Sequence, residues 1–361
     1  MKKIILSGYY GFNNTGDEAI LAALIAGLEA RIDELEIIVL SADPQFTTQL
    51  HQVEAVNRMN FKRIAQELKK ADLLISGGGS LLQDVTSLKT IPYYLGVIVL
   101  AKVMKTPVFF CAQGVGPVNN RLNQKLISGV LNKVALITVR DQKSKQLLEN
   151  WGVKNKITVT ADLVFSLELG NEGMINNIVK QEQISFQSPT MGVAVRPWAD
   201  NSYLNQLAGV LDTLILKLGV NIVLLPFHNP GDREVSQLLK QKMKQQVDLI
   251  TGDYTPREIL ALVESCDFFL GVRLHSLIFA ALAGIPVAGI SYDPKINNFL
   301  EQLNLEPVAE IADLEVGVVE EKLIALAKEK DKQLENIQEQ LAELKKISKM
   351  NFKLLLEELG D

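Results

Sequence analysis

The chain has 361 residues, which is too long for one small domain and predicts two. Its 47% hydrophobic and 22% charged residues are typical of a globular protein that folds in water. A net charge of −5, with no stripe of Lys and Arg interleaved with aromatic residues, argues against a nucleic-acid-binding protein. Both cysteines lie in apolar runs, so we expect buried thiols, no disulfide framework and a reducing cytoplasm.

The first half alternates short apolar runs with amphipathic segments. Strands are predicted at 3–7, 36–41, 72–76, 107–112, 135–139 and 157–160. Such near-continuous apolar strands, separated by helical patterns, are typical of a parallel sheet covered on both faces. The longest apolar region, 93–104, is broken by Lys102 and is too short to span a bilayer.

The second half repeats this alternation after a polar stretch at 170–188, which we interpret as a linker. Strands are predicted at 191–195, 221–225, 248–251, 268–270 and 286–291. The fold class is therefore α/β, with two Rossmann-like, doubly wound domains and an active cleft between them. We assign 1–172 to the N-terminal domain, 173–327 to the C-terminal domain, and 328–361 to an amphipathic C-terminal helix with a 3.6-residue apolar period.

The loop after the first predicted strand reads GYYGFNNTGDE, at 8–18. Its glycines let the backbone approach a ligand, and Thr15 or Asp17 could cap the following helix. Tyr10, Phe12 and the acidic pair Asp17 and Glu18 suit a sugar acceptor. The alternative is a packed turn with two solvated carboxylates. The spacing is not GxGxxG, so no dinucleotide site is indicated.

Two more glycine turns, at 76–80 and 113–117, and Arg140 follow other predicted strands of the first half. Arg140 either reaches the cleft or pairs with a nearby acid, and its place at a strand end favours the cleft. The second half places Arg196, His228 and Lys295 after strands in the same way.

The segment GVRLHS, at 271–276, combines a guanidinium with one of three histidines between a buried strand and a helix predicted to start at Ser276. Helix N-termini favour anions, Arg binds them bidentately, and His titrates near neutral pH. The pattern indicates a site for a small polyanion on which a proton is transferred. The alternative is a structural ion pair of Arg273 and a buried, satisfied His275. No metal-ligand spacing, P-loop or GxSxG elbow occurs.

Seven segments in order resemble the polysaccharide pyruvyl transferases, and the CsaB type of bacterial cell-wall biosynthesis in particular. They are GYYGFNNTGDEA (8–19), SGGGSLLQD (76–84), AQGVGP (112–117), TVRD (138–141), LPFHNPGD (225–232), GVRLHSLIFAALAGIP (271–286) and SYDPK (291–295).

The resemblance implies a GT-B-like fold with an acceptor-side N-terminal domain, a donor-side C-terminal domain and a C-terminal helix. It implies transfer of pyruvate from phosphoenolpyruvate onto two hydroxyls of a sugar, N-acetylmannosamine of a lipid-linked precursor, with release of phosphate. The resulting ketal would anchor surface-layer proteins to a secondary cell wall polysaccharide. The family's site residues match the positions Tyr10, Phe12, Arg140, Arg273, Leu274, His275 and Lys295.

From these residues we hypothesise that Arg273, Arg140 and Lys295 hold the donor, because its carboxylate and phosphate need several cations. His275 is the expected general acid/base, and Asp17 would orient or deprotonate the acceptor; both, with Arg273, are predicted to be catalytic. Arg196, His228 and Leu274 complete the predicted substrate-binding set, together with Tyr10 and Phe12. Neither metal nor cofactor is expected beyond phosphoenolpyruvate as substrate.

Two other functions fit the pattern: a GT-B glycosyltransferase that uses a nucleotide-sugar, and a non-catalytic sugar-phosphate-binding protein. We expect a cytoplasmic protein with no nucleic-acid partner. A lipid-linked acceptor would favour peripheral contact with the inner face of the membrane, although no basic amphipathic patch in the sequence demands it. The oligomeric state is not predicted.

Overall fold

A computed structural model describes residues 1–85, 89–169, 172–186 and 189–360. It divides into two compact units. Unit 1 comprises Met1–Leu167 together with Glu343–Asp361, and unit 2 comprises Glu168–Ala342. The end of the chain thus belongs to the same unit as its beginning, a division that differs from the contiguous ranges assigned from the sequence.

The described part of unit 1 is built on a parallel sheet of seven strands, in the order β3-β2-β1-β4-β5-β6-β7. Most of its strand residues are buried, as the near-continuous apolar runs predict. The strands are β1 (Lys2–Ser7), β2 (Leu35–Ser41), β3 (Glu54–Asn57), β4 (Leu73–Gly77), β5 (Val108–Gln113), β6 (Leu136–Val139) and β7 (Ile157–Val159).

Helices connect these strands and cover both faces of the sheet. They are α1 (Thr15–Glu29), α2 (Pro44–His51), α3 (Phe61–Leu68), α4 (Thr90–Val103), α5 (Arg121–Leu131) and α6 (Gln142–Asn150), followed by a short 3₁₀ helix, Leu163–Ser166. Asn14, rather than the expected Thr15 or Asp17, caps α1, because its side chain accepts the Gly16 N–H at 3.1 Å.

Unit 2 repeats the plan with a six-stranded parallel sheet in the order β10-β9-β8-β11-β12-β13. Its strands are β8 (Thr190–Ala194), β9 (Asn221–Leu224), β10 (Asp248–Leu249), β11 (Phe268–Gly271), β12 (Val287–Ser291) and β13 (Ala309–Glu310). Its helices are α7 (Glu172–Glu182), α8 (Tyr203–Leu218), α9 (Gly231–Lys242), α10 (Pro256–Glu264), α11 (Leu274–Ala283), α12 (Pro294–Gln302), α13 (Val316–Lys328) and the first part of α14 (Lys330–Leu359).

Three elements of the structure, β3, β13 and α7, were not predicted from the sequence, and each omission has a physical cause. The edge strands β3 and β13 were not predicted, because they are only four and two residues long and are partly exposed. The expected linker at 170–188 contains α7, while residues 170–171 and 187–188 lie outside the described part. Tertiary contact orders this polar segment: the Glu182 carboxylate accepts the Thr251 and Gly252 N–H groups and the Tyr254 hydroxyl.

The second part of α14 is attached to unit 1 by a buried polar cluster around Asn351. Its Oδ1 accepts the Thr138 hydroxyl at 2.6 Å and the Thr160 hydroxyl at 3.2 Å, and its Nδ2 donates to the Ser348 carbonyl. Asn351 is 1% exposed, so water cannot replace these bonds. The cluster ties the end of the chain to strand β6 and to the loop after β7.

Replacing Asn351 with leucine should therefore lower the free energy of unfolding by about 1–3 kcal/mol, because two buried hydroxyls lose their shared acceptor. Urea denaturation monitored by circular dichroism measures this change. Lys353→Ala, an exposed position on the same helix, is the control and should change the free energy by less than about 0.5 kcal/mol. Equal stability of the two variants would contradict the anchoring role of Asn351.

Candidate active site

Both sheets have a topological switch point, where the strand order reverses direction. It lies between β1 and β4 in unit 1 and between β8 and β11 in unit 2. Ligands of doubly wound sheets bind beyond the carboxyl ends of the strands at this point. The predicted site residues all follow strands of the two sheets. In unit 1, Tyr10, Phe12 and Asp17 follow β1, and Arg140 follows β6. In unit 2, Arg196 follows β8, His228 follows β9, Lys295 follows β12, and the segment Arg273, Leu274 and His275 follows β11.

Tyr10 lies inside the loop that follows β1, with 1% of its side chain exposed. Its hydroxyl donates to the Gly77 carbonyl at 3.0 Å, and burial raises its pKa well above the ordinary value, so it remains a donor at neutral pH. A Cβ at Gly8 would meet the Tyr10 ring at 2.3 Å, which explains the need for glycine there. In this position Tyr10 joins the two loops of the switch point rather than presenting a ring to a ligand.

Phe12 is the more accessible aromatic residue of the same loop. Its ring stacks on Tyr9 with a centroid separation of 4.0 Å and an interplanar angle of 8°. The Arg58 guanidinium lies 5.2 Å from the Phe12 centroid and 4.0 Å from that of Tyr93. Arg58 was not predicted as a site residue; it directly follows strand β3, which was not predicted either. Phe12 is thus held in place by a stacked ring and a cation.

The acidic pair at the start of α1 has two different environments. Glu18 is 2% exposed and accepts the Gly11 N–H at 2.8 Å and His51 Nε2 at 2.9 Å, so it shapes the loop. Asp17 is 9% exposed, and its Oδ1 lies only 2.8 Å from the place a Cβ of Gly79 would occupy. Asp17 therefore borders both glycine loops at the switch point.

Arg140 connects several loops at the carboxyl edge of the unit 1 sheet. Its Nη1 donates to Asp162 at 3.0 Å and its Nη2 to the Ser80 hydroxyl at 2.9 Å, and only 6% of the residue is exposed. The alternative of an ion pair with a nearby acid is thus found, and Arg140 lies at the carboxyl edge of the sheet. Asp162 was not predicted as a site residue.

A methyl group at Gly114 would collide with this arrangement. An added Cβ would lie 2.6 Å from Nε and Nη2 of Arg140. We expect Gly114→Ala to displace the guanidinium and to lower kcat/KM by at least about 10-fold, since small displacements in a site are costly. Gly129→Ala, where a Cβ meets nothing within 4 Å, is the matched control. Steady-state kinetics measure kcat/KM for both variants. Equal kcat/KM values for Gly114→Ala and Gly129→Ala would contradict this role of Arg140.

In unit 2, Arg273 is the centre of a group of polar side chains at the carboxyl edge. Its Nε and Nη2 both donate to the Asp232 carboxylate, and Nη2 lies 3.5 Å from His228 Nδ1. Asp232 is fully buried and also accepts the Phe227 N–H at 3.2 Å. The loops after β9 and β11, which flank β8 in the sheet, thus place Arg273 and His228 together. The expected alternative of an Arg273 ion pair is found, and it lies at the switch point.

His275 lies in the first turn of α11, beside Arg273. The helix begins at Leu274, with Arg273 as its N-cap residue, two residues before the predicted start at Ser276. A Cβ at Gly271 would come within 2.5 Å of Ser276 Oγ, so glycine permits the tight turn from β11 into the helix. His275 is half-buried with an inaccessible Nε2, and Leu274 is buried, at 6% exposure. His275 therefore lies at the N-terminus of the helix, two residues after Arg273.

Arg196 and Lys295 share a third feature of this edge, the ring of Tyr292. The Arg196 guanidinium lies 4.0 Å and the Lys295 Nζ 5.3 Å from the ring centroid. Lys295 Nζ also lies 3.7 Å from the Asp293 carboxylate. Tyr292 was not predicted as a site residue. The available signal was an aromatic residue directly after strand β12 and three residues before the predicted Lys295.

The structure thus brings the predicted residues together in two sets, one on each unit. Four neighbours of these residues were not assigned from the sequence: Asp232, Asp162, Tyr292 and Arg58. A buried Arg requires an acidic partner, but the sequence does not say which acid it is. Among the described residues, no group of three His, Cys, Asp or Glu is arranged to hold a metal ion. In the same residues, no helix is long and apolar enough to cross a bilayer.

Solved structures with the same architecture have GT-B-like folds. The S. aureus MnaA–UDP structure superposes with a TM-score of 0.68 at 14% identity, covering 99% of this chain and 95% of that one. The UDP-GlcNAc 2-epimerase of Methanocaldococcus jannaschii superposes with a TM-score of 0.68 at 14% identity, covering 99% of this chain and 100% of that one. Anabaena Alr3699/HepE with UDP and glucose gives 0.62 at 16%, covering 100% of both chains. At these identities the likeness defines the fold alone, an α/β protein of the GT-B-like class.

The family model for polysaccharide pyruvyl transferase matches residues 14–294. The chain therefore belongs to the polysaccharide pyruvyl transferase family and is a transferase enzyme, as the motifs predicted. The amylovoran biosynthesis protein AmsJ of Erwinia amylovora is similar at 24% identity over 369 residues, covering 85% of this chain and 87% of that protein. The family's activity is pyruvyl transfer onto polysaccharide.

Proposed function

We propose that the enzyme transfers pyruvate from phosphoenolpyruvate onto two hydroxyls of one sugar, forming a cyclic ketal and releasing phosphate. The observation that carries this is the contact of Arg273 with His228 at the switch point of unit 2, with His275 two residues further on in the first turn of α11. Guanidinium and helix N–H groups suit the carboxylate and phosphate of this donor. Arg196 and Lys295, near the same edge, are further cations for it.

The chemistry requires one proton and two nucleophiles. His275 protonates the methylene carbon, which gives positive character to the adjacent carbon. One sugar hydroxyl adds to that carbon, the phosphate leaves with the electrons of the C–O bond, and the second hydroxyl closes the ring. The two hydroxyl protons balance the one added to carbon and the one carried by the phosphate. No resident cofactor is needed, because the donor itself carries the transferred group.

We assign the acceptor to unit 1, where Asp17 borders the glycine loops and Phe12 is accessible. Asp17 would orient or deprotonate a hydroxyl, and the half-buried Phe12 ring, held between Tyr9 and Arg58, would contact the sugar with its edge. Arg140 would act there as a cation held by Asp162 and Ser80. We propose N-acetylmannosamine of a lipid-linked cell-wall precursor as the acceptor, at the cytoplasmic face of the membrane, and surface-layer anchoring as the use of the ketal.

Phosphate release tests this function directly. The protein is incubated with phosphoenolpyruvate and an acceptor that contains N-acetylmannosamine, and inorganic phosphate and a ketal product are measured. Phosphate release that depends on the acceptor supports the proposal. No release by correctly folded protein contradicts it. The fold neighbours crystallised with UDP make nucleotide-sugars the second donor to test. Thermal stabilisation by UDP-sugars but not by phosphoenolpyruvate would favour a glycosyltransferase.

A further inference from the structure

The segment between Asp84 and Asp141 has an unusual charge pattern. It contains no acidic residue, in a chain whose net charge is −5. Its basic residues are Lys89, Lys102, Lys105, Arg121, Lys125, Lys133 and Arg140. Of these, only Arg140 is buried and belongs to the candidate site; the other six are exposed. The exposed charged residues of this segment of unit 1 are thus all positive.

The same segment exposes large apolar side chains on two neighbouring helices. Helices α4 and α5 contact each other and cover the same face of the sheet, because they follow adjacent strands through right-handed crossovers. On α4, Val99 and Val103 lie four residues apart and are both exposed; the exposed fraction of Val103 is 66%. On α5, Leu122 and Leu126 repeat that spacing, and Leu122 reaches 69%. We call these four residues, with the exposed basic residues of the same segment, the α4–α5 face.

The ion pairs found among the described residues do not use Lys102, Lys105, Arg121, Lys125 or Lys133. These cations therefore remain available to an external partner. Exposed apolar groups surrounded by cations are the pattern of surfaces that insert into the headgroup region of a bilayer containing anionic lipid.

We propose that the α4–α5 face docks unit 1 onto an anionic lipid surface. Its apolar side chains enter the boundary between headgroups and acyl chains, and its lysines contact the lipid phosphates. The inference stands on charge and exposure, independently of the donor; if the acceptor is lipid-linked as proposed, docking brings the enzyme to it. The occupant is a lipid surface rather than a second copy of the chain, because two copies would bring basic faces of the same sign together.

The test is co-sedimentation of the full chain with vesicles in the absence of any substrate, so that its outcome is independent of the transferase reaction. Vesicles of equal parts phosphatidylglycerol and phosphatidylcholine should bind the protein, and vesicles of phosphatidylcholine alone should bind it much less. Binding should weaken in about 0.5 M NaCl, since salt screens exposed charges. Equal binding to both vesicles, or to neither, would overturn the proposal.

Two sets of variants separate the electrostatic contribution to vesicle binding from the apolar contribution. Combining Lys102→Gln, Lys105→Gln and Lys125→Gln should weaken binding to the anionic vesicles by roughly 10²-fold, at about five-fold for each lysine. Val103→Ser with Leu122→Ser should weaken binding at both low and high salt. The matched controls are Lys349→Gln with Lys353→Gln, exposed on α14, and Leu216→Ser, 71% exposed on α8. These controls should bind like the unchanged protein.

The oligomeric state distinguishes the competing occupant. Light scattering after gel filtration should give the same mass for the unchanged protein and for the Val103→Ser, Leu122→Ser variant. A dimer that this variant converts to a monomer, without vesicle binding by either, would show that a second copy covers the α4–α5 face. Circular dichroism spectra and melting curves of all variants should match, because every substituted side chain is exposed.

Discussion

Replacing His275 with alanine is expected to lower kcat for phosphate release by at least about 10²-fold, because a positioned general acid typically contributes about 10²–10⁴-fold. The imidazole lies in the first turn of α11, two residues after the N-cap residue Arg273, where a bound anion and its reacting carbon are expected. Stopped-time phosphate assays at saturating donor and acceptor measure the change. The donor KM should change much less than kcat, since Arg273 and the helix N–H groups remain.

Two controls separate proton transfer from packing around His275. His275→Gln keeps a hydrogen-bonding side chain of similar size but cannot titrate, so it should be as impaired as His275→Ala. Added imidazole should restore part of the activity of the alanine variant, which a purely structural role of the residue does not predict. Turnover like that of the unchanged enzyme in His275→Ala would remove this histidine from the mechanism.

Replacing Asp232 with alanine is expected to lower the free energy of unfolding by about 3–5 kcal/mol, because it leaves the Arg273 guanidinium without its buried partner. Asp232 is fully buried and accepts from both Nε and Nη2 of Arg273 and from the Phe227 N–H. Chemical denaturation measures this loss. In whatever fraction remains folded, the donor KM should rise, since Arg273 is no longer held in one orientation.

The Asp253 and Arg233 pair provides a matched control on the same unit. Their side chains are joined at 2.7 Å, but Asp253 is 69% exposed, so Asp253→Ala should cost about 0–1 kcal/mol. Similar losses for Asp232→Ala and Asp253→Ala would show that burial does not strengthen the Arg273 pair.

A double replacement tests whether the Arg273 pair also serves the reaction. Arg273→Met combined with Asp232→Leu removes both charges together, and replacing a buried pair by apolar side chains is often neutral for stability. We expect this variant to regain most of the stability lost in Asp232→Ala while donor binding stays lost. Recovery of phosphate release along with stability would mean that Arg273 serves the fold alone.

The helix that carries His275 follows a motif that was recognisable in the sequence. The motif GVRLHS correctly indicated a strand, a turn and a helix, because glycine and polar residues interrupt two apolar runs there. The helix start was misplaced by two residues, because an Arg without a side-chain capping bond leaves no capping signal in the sequence. The conclusion that Arg273 and His275 share one turn does not depend on that boundary.

Local information alone determined that this protein is a tandem of parallel α/β units, because apolar runs long enough to be buried on both faces alternate with helical periods along the chain. It also determined which residues follow the strands. Tertiary structure alone decided their partners: Asp232 meets Arg273 across 41 positions, since β9 and β11 both flank β8. The α4–α5 face likewise arises only when two helices from consecutive crossovers are packed side by side, which combines charges that neither helix holds alone.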